Sequence, residues 1–141
     1  MPDIDSIQVG DSLPERSHKP DMVQLFMYNA AIWNPHRIHY DYNYTTQVEH
    51  HPEIVVDGPL QGDWLSQTVL EWIGEDAELV QFHYSNRKAS YVGETLRAVG
   101  TVTEVDRATG EVKVDLRILN EQDEVITPGG ATVRFAARKA S

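Results

Sequence analysis

The stretch "IVVDGPLQGDWLSQTVLEWIG", Ile54–Gly74, decides how the rest of the chain is read. Ile54–Val56 is a short β-branched, extended lead-in. Asp57 has the chemistry of a helix cap, and Pro59 suits the first turn because its missing N–H would have no helical partner there. From Leu60 onward, Leu60, Trp64, Leu65, Val69, Trp72 and Ile73 recur on one helical face, and Gly74 supplies the stop. This is the longest and most apolar helix the sequence predicts, so it is expected at the centre of the core.

Downstream, the apolar period changes from helical to two. Strands are expected over 79–88, 95–106, 111–119 and 132–138, with turns at "SYVGE", "RATG" and "TPGG". The third is the clearest, since Val112, Val114, Leu116 and Ile118 alternate with Glu111, Lys113, Asp115 and Arg117. One buried and one wet face is the habit of an antiparallel sheet. Upstream, residues 4–16 read as one short strand and a turn. Residues 19–33 read as a helix started by Pro20 and Asp21, with Val23, Phe26, Met27, Ala30 and Ala31 at helical spacing. Pro35 ends that helix at Asn34, so "NPHRIHYD", Asn34–Asp41, is a loop at a helix C-terminus. The fold class is α+β, an antiparallel sheet wrapped around one long helix.

A length of 141 residues supports one domain, 1–141, with one core. Twelve basic against 22 acidic residues give a formal charge of −10, which repels phosphate backbones, so no nucleic-acid partner is expected. An anionic carrier tail needs a local basic site. No stretch reaches the roughly 18 apolar residues of a membrane span, and the N-terminus has no signal-peptide pattern. No membrane partner is expected, and the expected compartment is the cytoplasm. With no cysteine there is neither disulfide nor thiolate chemistry.

Three segments resemble the MaoC-like enoyl-thioester hydratases and dehydratases, a hot-dog fold family. "VGDSLPE" is similar to the family's opening strand and turn. "HRIHYD" followed by "VVDGPLQGDWL" is similar to its histidine loop and to the glycine that opens its central helix. "SYVGETLRAVGTVTEV" resembles its late turn and the strand after it. In the (R)-specific hydratases the loop reads D-x-N-P-x-H-x-D, with the first Asp and the His activating a water. Aligning the literal "NP" would set Arg37 on the catalytic histidine. Aligning "HYD" with "H-x-D" instead sets His39 on the histidine, His36 on the asparagine and Asn34 on the catalytic aspartate. The second alignment is adopted, because "N-x-H-R-I-H-Y-D" resembles the hydroxyacyl-thioester dehydratase branch of the family.

The resemblance implies addition of water to 2-enoyl thioesters, or its removal from 3-hydroxyacyl thioesters. Coenzyme A or an acyl carrier is then the substrate's handle, and no cofactor is implied. That chemistry needs a base, a proton for C2 and donors for the enolate-like oxygen. His39 is the candidate base, since an imidazole titrates near neutral pH. Asn34 or His36 would orient the water, although an amide cannot accept its proton. Restoring a carboxylate by Asn34→Asp is accordingly expected to preserve or raise activity. Gly58 and its neighbours would offer backbone N–H groups to the thioester oxygen.

Plainer roles stand beside these. His36 could cap a helix end, Arg37 could pair with Asp41 or touch a carrier phosphate, and Gly58 could be a turn glycine. His36, His39, Asp41, His50 and His51 are near enough in sequence for a rival metal site, but the helix-borne H-E-x-x-H pattern is absent. Rival functions are a hot-dog thioesterase and a weakly active thioester-binding subunit. The resemblance also implies that two hot-dog units pair edge to edge, as a homodimer or with a different second subunit.

Overall fold

The computed structural model describes residues 2–136. Its elements are β1 (Arg16–His18), α1 (Met22–Ile32), a single 3₁₀ turn (Arg37–His39), α2 (Tyr42–Gln47), α3 (Gly58–Ile73), β2 (Ala77–Tyr84), β3 (Leu96–Asp106), β4 (Glu111–Leu119) and β5 (Val125–Phe135). The strands form one sheet in the order β1-β3-β4-β5-β2, antiparallel throughout. The sheet curls around α3, which gives the hot-dog fold.

The apolar face read from Ile54–Gly74 is the one that packs. Leu65 and Val69 are fully buried, and Leu60, Trp64 and Ile73 nearly so. Removing each such side chain from water contributes on the order of 1.5–3 kcal/mol, which outweighs the modest helix propensity of the tryptophans and β-branched residues. Trp72 is half-buried and meets Phe135 edge-on at 6.5 Å. Gly74, at φ 58°, ends the helix. On the facing sheet, Val112, Val114, Leu116 and Ile118 all point into the core, as their alternation predicts.

Four expectations change. The apolar spacing of α1 does not mark its buried side: Val23, Phe26 and Met27 are 66%, 69% and 64% exposed, while Leu25 and Asn29 face inward. Periodicity detects that a helix is amphipathic, but the face that is covered depends on what lies opposite. "TPGG" is not a turn either, because Thr127–Gly130 lies inside β5. The two glycines let β2 come close, and a Cβ on Gly129 would sit 2.5 Å from the His83 carbonyl oxygen. The turn falls earlier, where Asn120 Oδ1 accepts from the backbone N–H groups of Gln122 and Glu124. The short strand expected within 4–16 falls at its far end, as β1 begins only at Arg16, while residues 4–6 form a turn in which the Ser6 N–H donates to the Asp3 carbonyl at 2.9 Å. Lastly, Tyr42–Gln47 coils into α2 because Asp41 caps it, accepting from the Tyr44 N–H at 3.0 Å. The expected extension of the last strand through Arg138 lies outside the described residues. Among those residues no helix is long and apolar enough to cross a membrane.

Candidate active site

Four residues from three segments converge where the loop after α1 passes the N-terminus of α3. Backbone bonds set the approach. The Val55 N–H donates to the Ile38 carbonyl at 3.0 Å, and Val56 and Val92 close the other side through Ser90 and Ile54. The lead-in is thereby clamped between the 3₁₀ turn and Tyr91, and Asp57 emerges directly beneath His39.

His39 is buried, at 7% exposure. Its Nδ1 lies 2.7 Å from the Val55 carbonyl oxygen and 3.5 Å from Asp57 Oδ1. Both neighbours are acceptors, so the network assigns the proton to Nδ1 and leaves Nε2 as the ring's basic nitrogen. This is the arrangement a general base requires.

Asp57 is the residue that sequence reasoning misplaced. It occupies the N-cap position of α3, yet its side chain makes no capping hydrogen bond. It turns inward instead and is fully buried. Asn29 Nδ2 donates to its Oδ1 at 3.0 Å and Asn34 Nδ2 to its Oδ2 at 3.4 Å. Desolvation holds its pKa above the ordinary carboxylate value, while His39 and the amide donors pull the other way. Every partner of the carboxyl group donates, a geometry that suits the ionised form. The only sequence signal for this was an aspartate beside a helix start, which ordinarily means a cap.

Asn34 is half-buried and acts as a strut, its Oδ1 accepting from the His36 N–H at 3.1 Å while Nδ2 reaches Asp57. Asn29, which the sequence did not single out, is 6% exposed and spends Nδ2 on the Leu25 carbonyl and Asp57. Its buried Oδ1 has no hydrogen-bond partner among the described residues. His36 is exposed and caps the 3₁₀ turn, Nδ1 accepting from the Ile38 N–H at 3.3 Å. Its ring centroid stands 5.8 Å from that of His39. Arg37 turns outward to Asp41, with Nη2 2.8 Å from Oδ2, and stacks over Tyr44. The histidine loop therefore delivers two members of the cluster, Asn34 and His39, while His36 and Arg37 hold the loop's own shape. His51 meets the Tyr91 hydroxyl, and among the described residues no three His, Asp or Glu side chains form a metal-binding group.

Two cavities flank the cluster. An open apolar groove of about 520 Å³ is lined by Phe26, Ala30, Trp33, Pro35 and Tyr40, with Asn29 and Asn34 as its polar members. A more polar cavity of about 380 Å³ is lined by His39, Gly58, Pro59 and Gln61 and by Asn86, Arg87 and Lys88. The second brings the imidazole beside the start of α3. There the N–H of Gly58, in the first turn of α3, has no carbonyl one turn back to bond. What lies closest to Gly58 is the Asn86 amide, whose Oδ1 would stand 2.3 Å from a Cβ at that position. A side chain at that position would have to displace the Asn86 amide.

The profile of the family "hydroxyacyl-thioester dehydratase type 2" matches residues 5–92, more than half of the chain. A curated relative, the mitochondrial hydroxyacyl-thioester dehydratase type 2 of Schizosaccharomyces pombe, is 28% identical over 93 residues. Those cover 61% of this chain but only 30% of that protein. Among solved structures, the (R)-hydratase from A. caviae involved in PHA biosynthesis superposes with a TM-score of 0.84 at 17% identity, over 93% of this chain and 98% of that one. The ChsH1-ChsH2 complex from Mycobacterium tuberculosis gives 0.80 at 19% identity, over 92% and 98%. At such identities these structures speak for the fold, whereas the profile match covers both the histidine loop and the start of α3. The chain belongs to the hydroxyacyl-thioester dehydratase type 2 family and has the hot-dog fold.

Proposed function

We propose that the protein is a hydro-lyase that adds water to 2-enoyl thioesters, or removes it from 3-hydroxyacyl thioesters, carried on coenzyme A or an acyl carrier. The observation that carries this reading is His39, buried in a cavity it shares with the start of α3 and tied at Nδ1 to two acceptors. In the hydration direction Nε2 takes a proton from water as the oxygen bonds to C3. The C2–C3 π pair moves toward the thioester, placing negative charge on its oxygen. The N–H of Gly58, at the positive end of α3, stabilises that charge. The imidazolium can then return its proton to C2, which leaves the base as it began. Asn34, whose amide cannot accept a proton, supports the water-activating step by holding Asp57 and the loop beside His39.

Family membership and the hydratases and dehydratases among the relatives support the reaction class. A second hot-dog unit completes the working assembly, supported by the unpaired outer edge of β2 in the strand order and by the neighbour solved as a two-component complex. A second reading, a weakly active thioester-binding subunit, draws on Asn34, which stands where the catalytic aspartate is expected. Incubation with crotonyl-CoA and a thiol reagent separates the functions. Loss of enoyl absorbance without thiol supports the hydro-lyase, released thiol a thioesterase, and neither the binding subunit.

A further inference from the structure

We propose that Asp57 is a positioning residue of this site, a buried carboxylate on the cap of α3 that orients the His39 ring and stabilises the imidazolium formed when that ring takes a proton. The inference rests on the hydro-lyase reading for its catalytic consequence but on geometry for its existence.

An N-cap aspartate ordinarily spends its side chain on the first-turn N–H groups and stays near solvent. Asp57 does neither. It is fully buried and uncapping, and its two oxygens face the Asn29 amide, the Asn34 amide and, at 3.5 Å, His39 Nδ1. Burying a carboxylate is costly unless donors and a cation compensate it. Two amides meet the first need, and the second is met only when His39 is protonated. The pair is therefore in balance during the step in which His39 holds the water proton, and out of balance before it. Stabilisation that is greater in the transition state than in the ground state is what raises turnover.

Fully buried, Asp57 does not touch substrate, so its action passes through the imidazole. Asn34 and Asn29 then fix the carboxylate as well as facing the apolar groove. The other titratable or charged groups around the pair are few. From α1, Tyr28 is held by Asp63 at 3.1 Å; from the loop, His36 lies 5.8 Å from His39 between ring centroids; Arg87 and Lys88 line the His39 cavity, and Lys88 is paired with Glu124. The two carboxylates among them, Asp63 and Glu124, are committed to Tyr28 and Lys88.

The test compares wild type with Asp57→Asn, an isosteric change, and with the double variant Asn34→Asp/Asp57→Asn, which moves the charge to the other end of the Asn34–Asp57 contact. Side-chain NMR of histidine-labelled protein follows the His39 ring, and crotonyl-CoA is the kinetic probe. In Asp57→Asn the His39 titration midpoint is expected to move to lower pH. kcat should fall by roughly 10-fold or more with KM little changed, as for a weakened general base. The double variant should recover part of both. An unchanged His39 titration in folded Asp57→Asn would overturn the proposal, as would a loss of kcat that the double variant leaves in place. A shifted His39 titration in a protein that hydrates no enoyl probe would keep the Asp57–His39 link and remove the hydro-lyase reading instead.

Discussion

At the scale of the residue, the site turns on which nitrogen and which oxygen are free. His39 has Nδ1 committed to Val55 and Asp57, so removing the ring removes the imidazole base from the polar cavity. His39→Ala is expected to lower turnover by about 10²-fold or more, measured as initial rates on an enoyl thioester. Retained activity in His39→Ala with a dead Arg37→Ala would instead favour the alignment that sets Arg37 on the catalytic position. For Asn34→Asp the structure reverses the expectation drawn from the sequence. Asn34 Nδ2 lies 3.4 Å from Asp57 Oδ2, so the substitution would set two carboxylates against each other in a half-buried place. One must then stay protonated or move away. Activity should fall in Asn34→Asp and recover in part when Asp57 is made Asn as well. Asp57 also makes a pH-dependent contribution to stability. Its pKa is raised on folding, so between the ordinary carboxylate value and the raised one the folded protein binds more protons than the unfolded chain. Stability then declines as pH rises through that window. Asp57→Asn removes this loss, so its melting temperature relative to wild type should rise with pH across the window. A difference that does not vary with pH would contradict the assignment.

At the scale of the element, α3 serves both core and site, and its glycines have different tasks. A Cβ on Gly62 would stand 2.4 Å from two ring atoms of Tyr84, at the end of β2. In isolation Gly→Ala favours a helix by about 1 kcal/mol, but overpacking costs typically 1–3 kcal/mol. Gly62→Ala is thus expected to destabilise the protein by roughly 1–2 kcal/mol in urea unfolding, and to become stabilising in a Tyr84→Ala background. An unchanged sign in that background would mean that Tyr84 is not the obstacle. The helix α1 carries a different lesson. Its heptad-like apolar positions were readable, but Val23, Phe26 and Met27 face solvent while Leu25 and Asn29 are covered. Asn29 thereby enters the site through a face that looked unremarkable in the sequence.

At the scale of the whole molecule, the sheet has two ends. Among the described residues the three-residue β1 forms one edge and the eight-residue β2 the other, longer one. An open edge of that length presents unpaired backbone groups that invite another strand. The exposed apolar residues of α1 add to the surface that a lone copy leaves wet. Light scattering is expected to find a dimer, or a chain that is poorly soluble until a second hot-dog partner is co-expressed. A stable and fully active monomer would be the contrary result.

The sequence by itself determined the parts that depend on local pattern: the apolar face of α3, the alternation of β4, the breaks at Pro35 and Gly74, and the concentration of His39 and Asn34 in one loop. Those features follow from side-chain periodicity and from the backbone limits of proline and glycine, which act over a few residues. Only the tertiary structure decided where the Asp57 carboxylate points, that Asn29 joins it, and that His36 and Arg37 serve the loop rather than the cavity. Each of those depends on a contact between segments 23–28 residues apart, or on a competing local partner such as Asp41. A buried charge goes to the donors that compensate it best, and the fold alone brings those donors within reach.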